Sequence, residues 1–498
     1  MNPPLEEPGA IHWRPVFWVL LGSVIAMVLP LALWPHRLPW VSNTYGHSYE
    51  PFELWGAFAT IVAITTAVKS SKTRDFNALI RIWLPLFAVV HGIGLLGEYS
   101  QKSWDYSCYE GAAQMVEAGA SPYADCYLYP PLLAQLLAVG HQGAAALASG
   151  LGLHLKQHWH LVFYFYQGAQ AVALAGVLLL SIRFGRRFGL SHNHAAIAAS
   201  LLLVINNPVL RTLRHNQINL WVLLFLLLAL EFVQRKPVWA GVFLSLSVHL
   251  KLLPIVVLLP WALERRWRAL AGTALGMLGV FSVQISTGAG IQHWLDFLHF
   301  ISGFPPAYAF RDNSPQTIAH HLVNLPLSQL HIEPAAMGAI STAVRAAAAL
   351  ACATWIGLRF IQRNRVPDGF GANVRNTSVA RQNLQDTLAI PLLVSPIVWE
   401  HHYIFAIPVV LLAIAQVGPS VRILAGAVLM FAVPTFDLFP LSAHRLVGLM
   451  LILLENSPRT LSPQSRPLHD GPSNPENPPP NTTRSSEPVD PSPPVPQS

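Results

Sequence analysis

The chain has 498 residues, 53% of them hydrophobic and 11% charged, where an average soluble domain carries about 25% charged residues. That composition excludes a soluble protein. The formal charge of +7 lies in short loops between apolar runs, where it reports orientation in a membrane and not nucleic-acid binding.

A helix needs about 20 apolar residues to cross a hydrocarbon core, and the sequence offers such runs repeatedly. The first, Val16 to Trp34, is long for a signal-peptide core and lacks a small-residue cleavage site before His36 and Arg37, so it reads as a membrane helix. Helices near 14–34, 52–69 and 78–98 bring the chain to the outer side at 99–130. The run 131–153 reads as re-entrant or interfacial, because a full crossing would invert every later basic cluster. Those clusters are Arg183/Arg186/Arg187, Arg235/Lys236, Arg265/Arg266/Arg268 and Arg359/Arg363/Arg365, all cytoplasmic with Lys69/Lys72/Arg74 by the positive-inside rule.

Crossings follow near 160–183, 194–210 and 218–234, and 238–264 goes out and back as two short helices meeting near Lys251 and Pro254. A helix at 268–287 leads to a second outer segment, 288–335. Further crossings near 336–358, 386–400, 402–417, 421–436 and 442–455 complete an all-α polytopic bundle of about 12 to 14 transmembrane helices. The expected organisation is therefore N-terminal membrane helices over 1–98, a membrane core over 99–455 with outer loops 99–158 and 288–335, and a cytoplasmic tail over 456–498. That tail is rich in Pro, Ser, Asn and Thr, and nearly free of large apolar residues, so it is expected to be disordered.

The first outer loop reads Trp104-Asp105-Tyr106-Ser107-Cys108-Tyr109-Glu110, and farther on it gathers Tyr123, Tyr127 and Tyr129 with Pro130 and Pro131. A carboxylate beside aromatic rings at a membrane surface suits proton abstraction from a hydroxyl, and the rings suit the apolar face of a sugar. On the residues alone, Asp105 reads as readily as a solvated loop acid beside an interfacial aromatic belt. Glu98, Glu110, Glu117 and Asp125 compete for the role, and spacing does not choose among them; Glu110 and Glu117 suit a solvated helix face. Cys108 and Cys126 share this loop, and an oxidising compartment would let them close a ring worth about 3 kcal/mol; two free thiols are the alternative. Cys352, in an apolar helix, reads as a core residue.

Four later features carry polar groups. Asn206-Asn207-Pro208, Arg211, Arg214, His215, Gln217 and Asn219 form a polar break between two helices on the outer side, suited to a lipid-linked phosphate or to plain capping and snorkelling. Lys251 lies in an apolar run, where a charge at bilayer centre costs about 2.5–3.5 kcal/mol, so it must face protein, water or an anion. Arg311, Asn313, Gln316, His320 and His321 add donors in the second outer segment. Trp399-Glu400-His401-His402 ends a helix on the same side and suits phosphate binding or proton relay better than a dedicated metal site, since adjacent histidines project differently.

In their order, these pieces resemble family 87 of the glycosyltransferases, membrane enzymes of the GT-C class that include polyprenol-phosphate-mannose-dependent mannosyltransferases. The resemblance covers roughly residues 95–420. It rests on Asp105 with Tyr109, Gly119 through Tyr123, Tyr129-Pro130-Pro131, Gln217 and Asn219, Ala240-Gly241 with Lys251 and Pro254, and Arg266-Trp267-Arg268. Asn313 with Gln316 and Ser395-Pro396 with Trp399 and His401-His402 complete it. The chain departs in its two extra leading helices, its Pro-rich tail, and His215 where a glycine is more usual.

The resemblance implies an enzyme that moves mannose or another hexose or pentose, with inversion, from a polyprenyl-phosphate donor to a hydroxyl of a lipid, glycan or protein acceptor. The work would occur on the outer face of the cell membrane, with no cofactor and no metal called for. Arg211, Arg214, His215, Lys251 and Arg311 are the expected phosphate ligands. Tyr109, Tyr123, Tyr129, Gln217, Asn219, Asn313, Gln316 and Trp399 are the expected substrate contacts. Asp105 is the expected base, with His401 or His402 as alternatives. The rival readings are a lipid or solute transporter, whose pathway broken helices and a buried lysine also mark, and a noncatalytic scaffold.

Overall fold

The computed structural model describes residues 88, 91–92, 101–151, 158–204, 206–286, 291–303, 311–327, 334–364, 372–433 and 439–455. The first three expected crossings, apart from 88 and 91–92, lie outside the described residues, as do Glu98, Arg365 and the C-terminal tail. Every regular element among the described residues is helical.

Helix α1 (Trp104–Glu117) begins where Ser103 Oγ accepts a hydrogen bond from the Tyr106 backbone N–H, and Asp105 in its first turn suits the positive end of the helix. It ends at Gly119, whose positive φ of 71° lets the Ala120 N–H turn back onto the Met115 carbonyl. Helix α2 (Leu132–Gly150) is one unbroken 19-residue helix, so of the two expected forms of this run, re-entrant and interfacial, it does not take the re-entrant one. It is long and apolar enough to cross a membrane. Tyr166 and Gln170, early in α3, bond Asn216 and Gln217 beside Asp105, whereas Arg187 at its end bonds the Leu230 carbonyl, so α3 alone separates the outer loop from the Arg183–Arg187 cluster.

Helix α3 (His158–Arg187) packs against α4 (His192–Val204) and α6 (Asn219–Phe232), with the short polar helix α5 (Asn207–Arg214) between the last two. Asn206 caps α5 and Pro208 starts it. The next apolar run is α7 (Pro237–Leu250). The chain becomes extended at Lys251 and resumes as a 3-10 turn (Leu253–Val257) and α8 (Leu258–Leu263), so the break expected near Lys251 and Pro254 falls there.

Helix α9 (Trp267–Gln284) lies against α7 with backbones almost touching. A Cβ on Gly241 would strike the Ala269 carbonyl and the Thr273 N–H, and one on Gly272 would strike the Val238 carbonyl. Small residues permit such contact, which drives helix association in lipid. Gly241→Ala must force the pair apart. It should destabilise the protein by about 1–3 kcal/mol, read as earlier thermal unfolding in detergent; an unchanged unfolding temperature would contradict this packing.

The remaining helices are α10 (Gln292–Gly303), α11 (Pro315–Leu327), α12 (Pro334–Asn364), α13 (Ala372–Val394), α14 (Ile407–Val417), α15 (Val421–Ala427) and α16 (His444–Glu455), with a 3-10 turn (Glu400–Ala406) leading into α14. Among the described residues four helical segments suit a membrane crossing by length and composition: Leu132–Gly150, His158–Arg187, Ala336–Arg363 and Glu400–Val417. The bent α4–α5 pair would be a fifth. Arg359 and Arg363, expected as loop cations, are buried and converge on Asp386 of α13 at 2.7 and 2.8 Å.

Candidate active site

Asp105 is held from two sides. Ser103, just ahead of it, donates its backbone N–H to Asn216 Oδ1 at 2.9 Å and its hydroxyl to the His215 carbonyl at 2.5 Å. Asn216 takes a positive φ of 51°, which asparagine tolerates better than most residues. Its carbonyl accepts from the Tyr166 hydroxyl at 2.6 Å, and Gln170 donates to the Gln217 carbonyl at 2.6 Å. The polar break after α5 is thus clamped between α1 and α3, which aims Gln217 at the acid.

Gln217 Nε2 donates to Asp105 Oδ2 at 2.6 Å, and its Oε1 accepts from the Tyr129 hydroxyl at 2.8 Å. Tyr123 in turn donates to the Tyr129 carbonyl at 3.0 Å and stacks against Phe300 of α10. Buried Tyr109 packs edge-on against Tyr129. His215 Nδ1 stands 3.8 Å from Asp105 Oδ2. The Asp105 side chain keeps 24% of its surface exposed, enough for an acceptor hydroxyl to reach it. Burial pushes its carboxyl up to about 6, against the opposing pull of the Gln217 hydrogen bond and the Lys251 charge, with Glu400 adding to the rise.

The competing acids are engaged elsewhere. Glu110 pairs with Lys102 at 2.7 Å, Glu117 meets His141 at 2.9 Å, and Asp125 is exposed. Cys108 of α1 is disulfide-bonded to Cys126, which ties the helix carrying Asp105 to the tyrosine loop. Cys126→Ser should lower stability by about 3 kcal/mol through the 18-residue loop it opens. A dithiothreitol-sensitive melting temperature in the parent, absent in the variant, is the expected reading; insensitivity of both would contradict the bond.

Lys251, at the break after α7, donates to Asn219 Oδ1 at 2.8 Å and lies over the rings of Tyr129 and Phe405 at 5.3 and 5.9 Å. Its ammonium acts electrostatically on Asp105, His401 and His402. The turn carrying both histidines packs on α5 and α6, and there Arg211 Nη1 meets Glu400 Oε1 at 3.3 Å. His401 lies in the fields of Lys251, Glu400, His215 and Arg211. Arg311 and Arg445 also act on Glu400. Asn219 Nδ2 and Glu400 Oε2 are buried without a hydrogen-bond partner among the described residues.

The structure therefore joins Asp105, Tyr129, His215, Gln217, Asn219 and Lys251 by direct contacts, and sets Arg211 on Glu400, the residue ahead of His401 and His402. Asn313 and Gln316 play a bracing part. Their amide nitrogens donate to the Arg311 and Val394 carbonyls at 2.9 and 2.8 Å. Beside them Asp312 Oδ1 accepts from the Val398 N–H at 2.8 Å, fixing the strand of chain that ends at Trp399. Trp399 itself is partly exposed at the head of the turn, and Arg214 is partly buried at the end of α5. Sequence reasoning assigned no site role to Glu400, Arg445, Asn216 or Asp312, although Asn216 and Asp312 lie inside the polar stretches it singled out. Glu400 stood inside a quoted motif, while Arg445 joins from a helix that no motif marked.

A polytopic helical membrane protein with an acid, an amide relay and several cations gathered at the ends of its helices is the class defined by this geometry. The profile of glycosyltransferase family 87 matches residues 127–396, just over half of the chain, and the protein belongs to that family. GPI mannosyltransferase 1 of Aspergillus oryzae is 34% identical over 158 residues, 30% of this chain and 33% of the relative. The catalytic subunit of GPI alpha-1,4-mannosyltransferase I of Danio rerio is 29% identical over 187 residues, 37% of this chain and 43% of the relative. GPI mannosyltransferase 1 of Saccharomyces cerevisiae is 28% identical over 189 residues, 37% and 41% of the two chains. The chain thus spans about a third to two fifths of the length of these relatives. No solved structure matches.

Proposed function

We infer that the protein is a membrane glycosyltransferase that moves a sugar, with mannose the first candidate, from a polyprenyl-phosphate donor to an acceptor hydroxyl on the non-cytoplasmic face of the cell membrane. The observation that carries this reading is the junction of Asp105 with His215 directly and with Lys251 through Gln217 and Tyr129, beside the Arg211–Glu400 pair. The acceptor O–H gives its proton to the Asp105 carboxylate as its oxygen attacks the sugar C1. The bond from C1 to the phosphate oxygen breaks on the opposite side, and its electron pair leaves with the phosphate. Attack opposite the leaving group inverts C1 through an oxocarbenium-like transition state. Cations around the departing phosphate stabilise the charge it gains, so the leaving group needs no proton.

Helix lengths support the outward-facing assignment. Asn219 begins the 14-residue α6 at the site, and Arg235 and Lys236 follow its far end, about 21 Å along the axis. The 14-residue α7 spans the same distance from Lys236 back to Lys251. The basic clusters and the site thus lie at opposite ends of both helices, and the positive-inside rule assigns the basic ends to the cytoplasm. The names of the GPI mannosyltransferase relatives favour mannose as the sugar and a lipid-linked glycan as the acceptor class.

The test is purified protein in proteoliposomes with a radiolabelled panel of polyprenyl-phosphate sugars and glycolipid acceptors. Glycoside formation without added nucleotide sugar is expected. Labelled lipid crossing the bilayer with no donor consumed would establish transport instead.

A further inference from the structure

Glu400 opens the turn that carries His401 and His402, and only 4% of its surface is exposed. One carboxylate oxygen, Oε1, meets Arg211 at 3.3 Å, and Arg311, Arg445 and His401 add positive or polar neighbours that act on it. The other, Oε2, is buried with no hydrogen-bond partner among the described residues. Buried polar atoms are nearly always hydrogen-bonded, and a carboxylate oxygen is among the costliest to strand. An orphaned acceptor inside a substrate site marks the place of a donor carried by the ligand.

The chemistry of the proposed complex leaves few such donors. The phosphate is itself an anionic acceptor, which a carboxylate repels. The proton of the acceptor hydroxyl is directed to Asp105. What remains are the hydroxyls of the transferred sugar. Glu400 contacts Arg211, one of the phosphate cations, and its charge is felt at Asp105. The sugar ring is the group that must connect phosphate and base.

We propose that Glu400 Oε2 accepts a hydrogen bond from a hydroxyl of the donor sugar and thereby selects which sugar is transferred. This rests on the glycosyltransferase reading above. The Arg211 contact engages Oε1 and leaves Oε2 as the acceptor for a sugar hydroxyl. Glu400 is then a specificity residue, beyond its service as a counter-ion.

The experiment measures kcat/KM for polyprenyl-phosphate mannose and its 2-, 3-, 4- and 6-deoxy analogues with the parent protein, Glu400→Gln and Glu400→Asp. A site built to hold a hydroxyl rejects the analogue lacking it strongly, so one deoxy position should cost the parent about 10²-fold or more. In Glu400→Gln that ratio should shrink to within a few-fold. Glu400→Asp keeps the charge beside Arg211 but withdraws the oxygen by one methylene, and should shrink the same ratio even where the Gln variant fails to fold. A purely structural counter-ion would slow all donors alike and leave the ratios unchanged, which would overturn the proposal. So would a parent that handles every analogue equally. A parent that consumes no polyprenyl-phosphate sugar overturns the transferase reading as well, and donor consumption, measured directly, separates that failure from the others.

Discussion

Asp105→Asn should reduce kcat by about 10²–10⁴, the usual contribution of a positioned general base, while KM for the donor changes little. The substitution keeps the size of the side chain and a carbonyl oxygen for the Gln217 Nε2 bond, now 2.6 Å long. Folding should therefore survive, and a loss of activity can be assigned to chemistry. Radiolabelled donor turnover in detergent or proteoliposomes gives both constants. Turnover within a few-fold of the parent would remove Asp105 from the reaction and turn attention to His401 and His402.

Lys251→Met should act on the donor side. The lysine is 9% exposed and has Asn219 as its hydrogen-bond partner, so methionine keeps most of the side chain's apolar length without the charge. Losing one cation that stabilises the leaving phosphate should lower kcat/KM by about 10²–10³, the scale of removing one donor from an oxyanion-stabilising site. Because the phosphate is charged in the ground state too, KM for the donor should rise as well, in contrast to Asp105→Asn. Equal kcat and KM effects in the two variants would argue that Lys251 serves Asp105 alone and not the phosphate.

Much of the bundle was legible because membrane helices announce themselves by length and apolar content. The break at Lys251 was legible because a charge and a proline interrupt one apolar run. The site was legible in pieces, Asp105 with its aromatics and the polar break around Gln217, but their meeting was not. The Gln217–Asp105 bond joins residues 112 apart in sequence, and nothing in local spacing encodes such a pairing. The same holds for Arg359 and Asp386, 27 residues apart, whose charges read as topology when taken singly.

Two features of the site were hidden for physical reasons. Asn313 and Gln316 read as substrate donors from their place in an outer segment, and local sequence did not show that their amide nitrogens also brace the chain. Here Asp312 draws the chain ending at Trp399 alongside, and the amides close onto its carbonyls and their own. Glu400 was overshadowed by the histidines that follow it. An acid among cations suggests simple neutralisation, and only the bare Oε2 argues for more.

The central claim is that ionised Asp105 takes the acceptor proton, and the pH dependence of kcat/KM tests it most directly. A base works only when deprotonated, and burial holds this carboxyl at about 6, so kcat/KM should climb tenfold per pH unit below about pH 6 and level off above it. A rate independent of pH from 4.5 to 8 (about 1.5 units below the limb to 2 above), with donor binding intact, would contradict the account.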